Sequence, residues 1–311
     1  MTGYITGYDG GKYELPVLFG WDMSYGFGTP CDAFEVSFAY DKTMLPALKS
    51  AVSFTAEHEG ERVFTGRVDE FEITADENGF TAVLRGRSMA ALLLDNEAAA
   101  AEYYPATLSI ILENHVYPWG ISEVRAGDLP AVQGFKVTSG QSQWGVIENF
   151  AWFGGGVRPW FDRNGVLRLD GECGDRLELD WKSAVCSQRY TERRYGVISA
   201  ATVVNKSLGI TSTVENSDFL DRGGSSRRVV TVPKATYYDA MRHTGQYQIE
   251  RSRDEERLNV IETPQLFAAF PGDVIELNDS PVGICGSFSV LRSRVSADRG
   301  GGRTVITMKE I

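Results

Sequence analysis

The hydrophobic pattern is most regular between residues 63 and 95, where it predicts a long β-hairpin. The apolar positions of its first strand change parity once, from Phe64 and Val68 to Phe71 and Ile73. A strand through all four keeps its apolar side chains on one face only if it contains one extra residue. We therefore expect a β-bulge near Asp69-Glu70.

A turn and a return strand complete this hairpin. Asp76 to Gly79 ends in Asn-Gly, which adopts positive φ at low cost, and alternating apolar residues follow at Phe80, Ala82 and Leu84. Ser88 is then predicted to cap a short helix, because the next apolar residues have helical spacing. We expect that helix to close off the hairpin.

The remaining pattern before residue 60 predicts further strands of a small antiparallel barrel. Alternating positions occur in three segments: Tyr13–Leu15, Phe34–Phe38 and Ala51–Ala56. One helical turn is predicted in residues 41–48, where Pro46 limits its length. The alanine-rich run Glu97 to Glu102 favours a helix and also suits a connector, so we place a domain boundary there.

The middle of the chain changes to an α+β pattern. Two amphipathic helices are predicted, one capped by Thr107 and one that begins at Ser142 and ends at Gly154-Gly155-Gly156. Asp162 to Gly165 is a hairpin turn. The glycine triplet follows a helix and no Gly-Lys-Ser/Thr continues it, so it indicates a helix end rather than a phosphate-binding loop.

Strands return after about residue 185. They are predicted at residues 197–204, 212–214, 228–232, 259–262, 273–277, 288–295 and 304–308, with a helix around Tyr238 to His243. The predicted fold is mainly β with an α+β insert, in which two similar barrel domains flank a smaller domain. The predicted domains are residues 1–100, 101–184 and 185–311.

Composition and charge narrow the range of functions. The net charge of −11 is concentrated in residues 1–100, which contain 7 basic and 16 acidic residues. This opposes nucleic-acid binding there, because binding to phosphates depends on Lys and Arg. It suits a conduit that DNA passes without binding, although from charge alone solubility is the better explanation. No apolar run approaches the roughly 18 residues of a membrane span, and no secretory signal begins the chain.

Candidate catalytic and metal-binding residues are few. The three histidines, His58, His115 and His243, are expected to be exposed or packing residues, because no nucleophile motif accompanies them. The four cysteines are expected to be free thiols, since they form no metal-ligand spacing. Paired carboxylates such as Glu70 and Glu72 keep cell-wall hydrolysis open as an alternative. Aromatic residues beside Gly and Pro, as in Pro118-Trp119-Gly120, equally keep a carbohydrate-binding or receptor-recognising role open.

One sequence block resembles a known family. The pattern F-x-G-x-V-D-E over Phe64 to Glu70, the polar turn, and R-G-R-S over Arg85 to Ser88 resemble baseplate hub proteins of contractile phage tails. These are the late-control protein D family, which is related to the hub part of type VI secretion spike proteins. The specific resemblance covers this block, and the rest of the chain agrees in layout.

The resemblance implies a structural, non-enzymatic hub that needs no cofactor or metal. Such hubs form homotrimers that adapt a hexameric tail tube to a trimeric central spike, beside other baseplate proteins. The particle would assemble in the bacterial host cytoplasm. DNA would pass through the ring without specific binding, and the protein would not insert into a membrane. The chain ends after the final hairpin, so the spike is expected to be a separate polypeptide. The residues expected at the interface are Arg67, Asp69, Glu70, Arg85 and Arg87.

Overall fold

A computed structural model describes residues 1–27, 31–77, 79–171, 174–232 and 238–311. The strands are β1 Thr2–Gly7, β2 Lys12–Glu14, β3 Leu18–Gly26, β4 Ala33–Ala39, β5 Ala51–His58, β6 Glu61–Asp76, β7 Gly79–Ser88, β8 Ala101–Tyr103, β9 Val124–Ala126, β10 Phe135–Val137, β11 Trp160–Phe161, β12 Leu167–Leu169, β13 Arg176–Asp180, β14 Ser187–Glu192, β15 Ala200–Asn205, β16 Ile210–Glu215, β17 Arg227–Thr231, β18 Arg257–Thr263, β19 Val274–Asn278, β20 Gly286–Asp298 and β21 Gly301–Glu310.

The helices are shorter and fewer than the strands. They are α1 Leu45–Ser50, α2 Ala91–Leu94, α3 Leu108–His115, α4 Gln143–Gly155, α5 Trp181–Ala184, α6 Ser217–Asp221 and α7 Tyr238–Arg253, with 3-10 turns at Lys42–Met44 and Tyr117–Trp119. The fold is mainly antiparallel β with small helices, as predicted.

Strands β1 to β7, here called the first half, wrap around an aromatic core. The alternation in β4 buries Phe34, Val36 and Phe38, and the ring of Phe34 stacks on that of Phe54 at 4.2 Å. The predicted bulge is confirmed, because the β6–β7 register shifts between Val68 and Glu70. Asp69 is the extra residue, so the apolar side chains on both sides of it face the core. Asn78 of the predicted turn lies outside the described residues.

A second half, made of β13, β14 and β18 to β21, repeats the strand order of the first. In chain order β13, β14, β18, β19, β20 and β21 take the places of β1, β3, β4, β5, β6 and β7. The sheet order is β3-β4-β7-β6-β5-β1 in the first half and β14-β18-β21-β20-β19-β13 in the second. Corresponding neighbours are antiparallel in both halves, except that β13 pairs with β19 in parallel.

The two long hairpins, β6–β7 and β20–β21, also agree residue by residue. Each has one register shift, between Val68 and Glu70 in β6 and between Val290 and Arg292 in β20. Seven residues of the first strand then lead to the turn in each hairpin, counted from Glu70 and from Arg292 to the final pairs Asp76 with Gly79 and Asp298 with Gly301. Positions in the two hairpins can therefore be matched one to one.

The halves join into one continuous sheet of 13 strands, because β3 pairs antiparallel with the part of β20 that follows its bulge. The loop between β18 and β19 strengthens this junction. Its residues Leu266, Phe267 and Phe270 pack on the core of the first half, and the Phe270 ring meets that of Tyr25 edge to face at 5.2 Å. The second half thus contributes side chains to the core of the first.

The middle region has its own core, formed by α2, α3, α4 and short strands. Both predicted caps are confirmed: Thr107 accepts a hydrogen bond from the Ile110 amide, and Ser142 accepts one from the Gly145 amide. Strand β13, which precedes the predicted boundary at residue 184, pairs with β19 of the second half. The predicted domain boundaries stay a prediction.

Three features differ from expectation. Ser88 ends β7 instead of capping a helix, because its hydroxyl accepts a hydrogen bond from the Asp32 amide at 3.1 Å; α2 begins at Ala91. The alanine-rich run is a connector that leads into β8, without a helix. Finally, α7 is longer than predicted and packs on the three-stranded sheet of β15, β16 and β17, where a barrel was expected.

Candidate assembly surface

The side of the sheet that faces away from the core carries a band of charged side chains. Because alternate residues of a strand point to opposite faces, the burial of Phe34 and Val36 directs Glu35 outward, and the burial of Leu84 does the same for Arg85. Cross-strand pairing then places Glu35 beside Arg85. The band crosses β3, β4, β7 and β6.

Arg85 is the centre of this band. Its Nε donates to Glu35 at 2.7 Å, and its Nη1 donates to Glu70 at 3.0 Å and to Glu72 at 3.1 Å. The hydrogen bonds that Arg85 donates to these carboxylates, first of all to Glu35 and then to Glu72, raise the pKa of Arg85. One guanidinium on the central strand therefore holds the carboxylates of the two neighbouring strands.

Arg87 forms a second cluster one step along β7. Its guanidinium binds Asp69 in a bidentate fashion, with contacts of 2.7 and 3.0 Å, and also contacts Asp95 beyond α2. The bond from Arg87 lowers the pKa of Asp95. Asp69 reaches Arg87 because it is the bulge residue, so the bulge that keeps the core face apolar also supplies a charge to the outer face.

The band continues across the junction between the halves. Asp22 on β3 accepts from Arg294 on β20, with an Nη2 to Oδ2 distance of 2.7 Å. A shallow depression of about 490 Å³ lies over the surface between this pair and the Arg85 cluster. Four of the five predicted interface residues thus lie in the band and are engaged in ion pairs. The fifth, Arg67, lies on the same face opposite Arg87.

The sequence analysis missed four residues of the charged clusters, Asp22, Glu35, Asp95 and Arg294, and considered Glu72 only for hydrolysis. The alternation in β4 indicates that Glu35 is exposed, but its neighbour is set by strand order, which periodicity does not reveal. The Asp22 and Arg294 pair joins residues 272 positions apart in the sequence. No local pattern could have predicted that contact.

The charged side chains of this surface neutralise one another in ion pairs. Glu70 and Glu72, the carboxylates considered for hydrolysis, bind the same guanidinium and lie on an open face. In the part of the chain that the structure describes, no group of three or more metal-binding side chains occurs. Cys31, Cys186 and Cys285 are free thiols, as expected, and Cys173 lies outside the described residues.

The other candidate residues mostly have packing roles. His115 is buried, whereas His58 contacts the ring of Phe267. Of the aromatic residues considered for sugar binding, Trp119 packs on the core of the middle region and Trp160 packs beside Arg168. Tyr104 is exposed. Among the described residues, no helix is long and apolar enough to cross a membrane.

Among the described residues, β2, β13, β14 and part of β6 each have a partner strand on one side only in the large sheet. Strand β14 pairs only with β18, and the part of β6 from Glu70 to Asp76 pairs only with β7, among the strands of the described residues. Backbone N–H and C=O groups along such edges are available for pairing with another chain. The charged band ends at the β6 edge, so charge and free backbone groups occur together there.

Comparison with known proteins gives matches only among structures: no family model and no curated protein sequence matches the chain. It is similar to a tail protein from Neisseria meningitidis at 19% identity and a TM-score of 0.79, covering 99% of this chain and 96% of that one. A 43 kDa tail protein of prophage MuSo2 from Shewanella oneidensis matches at 18% identity and a TM-score of 0.82, covering 100% and 98%.

A third match is a component of the type VI secretion system from E. coli, itself described as structurally similar to T4 bacteriophage tail proteins. It has 13% identity and a TM-score of 0.59, covering 94% of this chain and 73% of that one. Because these sequence identities are below 20%, the comparisons show a similarity of fold. It agrees with the resemblance that the hairpin block indicates.

Proposed function

We propose that this chain, which has the fold of phage tail proteins, is a structural subunit of a contractile tail baseplate. In this role it is the hub, a homotrimeric ring that adapts a hexameric tail tube to a trimeric central spike. Its partners are the tube protein, the spike protein and other baseplate proteins. It acts in the virion after assembly in the bacterial host cytoplasm.

The observation that carries this proposal is the repeated strand order within one continuous sheet. A chain with two halves of the same topology, joined edge to edge, offers two consecutive positions of a ring. Three such chains offer six positions in an order that repeats three times. A ring of this kind fits a sixfold partner on one side and a threefold partner on the other.

The pairing of the charged side chains on this surface supports a structural role rather than a catalytic one. The exposed carboxylates of the charged band are held by Arg85 and Arg87 on an open face. A larger depression, of about 720 Å³, is also lined by paired charges, since Asp254 binds both Arg158 and Lys309. The acidic first third suits a ring through which DNA passes without binding.

The first test is the mass of the purified chain in solution. We expect sedimentation velocity at micromolar concentration to give three times the 34.3 kDa of one chain, and electron microscopy down the ring axis to show six lobes with threefold order. Dimers or a chain that stays monomeric at all concentrations would contradict the hub. Peptidoglycan hydrolysis that is lost in the variant Glu70→Gln would instead support the hydrolase.

A further inference from the structure

Two of the free strand edges, those of β14 and of the post-bulge part of β6, correspond to the two strands that already pair at the internal junction of the chain. The internal junction joins β3 to the post-bulge part of β20, in the register Arg292 with Gly26 to Ala297 with Trp21. By the repeated strand order, the counterpart of β3 is β14, and the counterpart of that part of β20 is Glu70–Asp76 of β6. Both counterparts lack a partner strand on the same side in the described structure.

The ladder of cross-strand pairs fixes which residues correspond. Glu70 and Arg292 each follow the bulge, so their partners across the hairpins, Arg85 and Thr307, occupy matching positions. From Arg85 and Thr307, the cross-strand partners can be followed into the next two strands of each half. The pairs are Arg85 with Glu35 and Glu35 with Asp22 in the first half, and Thr307 with Val260 and Val260 with Arg189 in the second. Arg189 therefore corresponds to Asp22, and Glu72 corresponds to Arg294.

The charges at these matching positions are reversed. At the internal junction a carboxylate on β3, Asp22, binds a guanidinium on β20, Arg294. At the two free edges the guanidinium is on β14, at Arg189, and the carboxylate is on β6, at Glu72. Arg189 is exposed and has no ion-pair partner among the described residues, so its charge is available to a second molecule.

We propose that β14 of one copy adds to the Glu70–Asp76 edge of a second copy, antiparallel and in the register of the internal junction. Arg189 then lies opposite Thr74 and diagonally beside Glu72, as Asp22 lies opposite Ser296 beside Arg294. Opposite charges across neighbouring strands favour this pairing. The inference rests on the proposed ring and assigns the strands that close it.

The reversal of charge also sets the order of the halves in the ring. Because β3 and β20 already pair within each chain, the competing arrangements are β14 with a second β14, which brings two Arg189 side chains together, and the β6 edge with a second β6 edge, which brings two Glu72 side chains together. Both arrangements bring like charges together, which disfavours the wrong partner. First and second halves must therefore alternate around the ring, as a match between three chains and six positions requires.

Charge-reversal variants test the ion pair. We expect Arg189→Glu and Glu72→Arg each to weaken self-association at least about tenfold, and the double variant to recover most of that loss, since the opposite charges are restored with their positions exchanged. Sedimentation velocity over a dilution series gives the dissociation constant. Lys206→Glu, which makes the same charge change in the β15–β16 turn, should associate like the wild type. Arg85 retains Glu35 and Glu70 in the Glu72 variant, and circular dichroism checks its fold.

Single variants that associate normally, or a double variant no better than the weaker single one, would overturn the charge assignment. If the wild type is a trimer but the variants behave in this way, the proposed hub is retained and only the proposed β14–β6 junction is rejected. A wild type that is monomeric throughout the dilution series contradicts both.

A disulfide cross-link tests the register without relying on affinity. In a background with Cys186 and Cys285 replaced by Ser, Thr74→Cys with Arg189→Cys should oxidise to a covalent trimer, because directly opposed residues on paired strands lie within disulfide range. The pair Thr74→Cys with Tyr190→Cys places the thiols on opposite faces and should stay monomeric on a denaturing gel. Equal cross-linking of both pairs, or of neither, would overturn the proposed register.

Discussion

At the scale of single residues, the middle region depends on a buried polar network around His115. The His115 Nδ1 lies 2.7 Å from the Gln143 side-chain oxygen, and its Nε2 lies 2.9 Å from the Tyr103 hydroxyl. Gln143 in turn donates to the backbone carbonyl of Glu97 in the connector. Because an amide oxygen only accepts, Nδ1 carries the proton; burial favours the neutral ring, in which Nε2 accepts from the Tyr103 hydroxyl. The sequence analysis expected His115 to be an exposed or packing residue, but these partners could not be predicted from the sequence.

This network predicts that stability falls in mild acid. Burial lowers the pKa of His115, so the unfolded chain takes up a proton near pH 6.5 while the folded chain does not. Stability from this group is complete above that pH and decreases as the pH falls through it. We expect His115→Gln to lose less stability than the wild type between pH 7.5 and 5.5 in urea titrations. His243→Gln, which changes an exposed histidine, should follow the wild type; identical pH profiles for all three proteins would contradict the assignment.

At the scale of elements, the sequence predicts what depends on local periodicity and fails where a distant partner decides. The bulge at Asp69 was predictable because the parity of apolar residues changes only once in the strand. Ser88 was assigned wrongly because two distant partners hold it in β7: its hydroxyl accepts from the Asp32 amide, and its backbone lies opposite Gly66 of β6. No local pattern reveals these partners. The same limit applies to the charged band: its exposed residues could be predicted, but their partners required the strand order.

The bulge can be tested by deletion. Removing Asp69 alone restores regular alternation, so Phe71 and Ile73 still face the core. Removing Asp69 and Glu70 together turns both side chains away from the core, so we expect that double deletion to lose at least about 3 kcal/mol in the free energy of unfolding. Asp69→Ala keeps the bulge and removes only a surface ion pair with Arg87, which costs less than about 1 kcal/mol. Urea denaturation measures the stability of all three variants. A double deletion as stable as the single deletion would show that the inward orientation of Phe71 and Ile73 does not stabilise the strand.

At the scale of the whole molecule, the two halves are coupled by sheet and core together. Strand β3 pairs with β20, while Phe267 and Phe270 from the second half pack on the aromatic core of the first. In contrast, β15 to β17 and α7 have a separate small core around Ile198, Ala201 and Ile249. A ring position requires the halves to keep a fixed relative orientation, and this double connection provides it.

The coupling predicts how one substitution spreads through the molecule. Phe270→Ala removes a ring that contacts Tyr25 and Phe267, at a cost of roughly 2–4 kcal/mol for a half-buried aromatic side chain. Hydrogen exchange should then accelerate in β3 and β4 of the first half as well as in β20 and β21 of the second, because the junction opens as one unit. The matched control is Phe219→Ala, a buried ring on α6, which should accelerate exchange only around β15 to β17. Faster exchange confined to the β18–β19 loop after Phe270→Ala would mean that the halves are held together by their strand pairing alone.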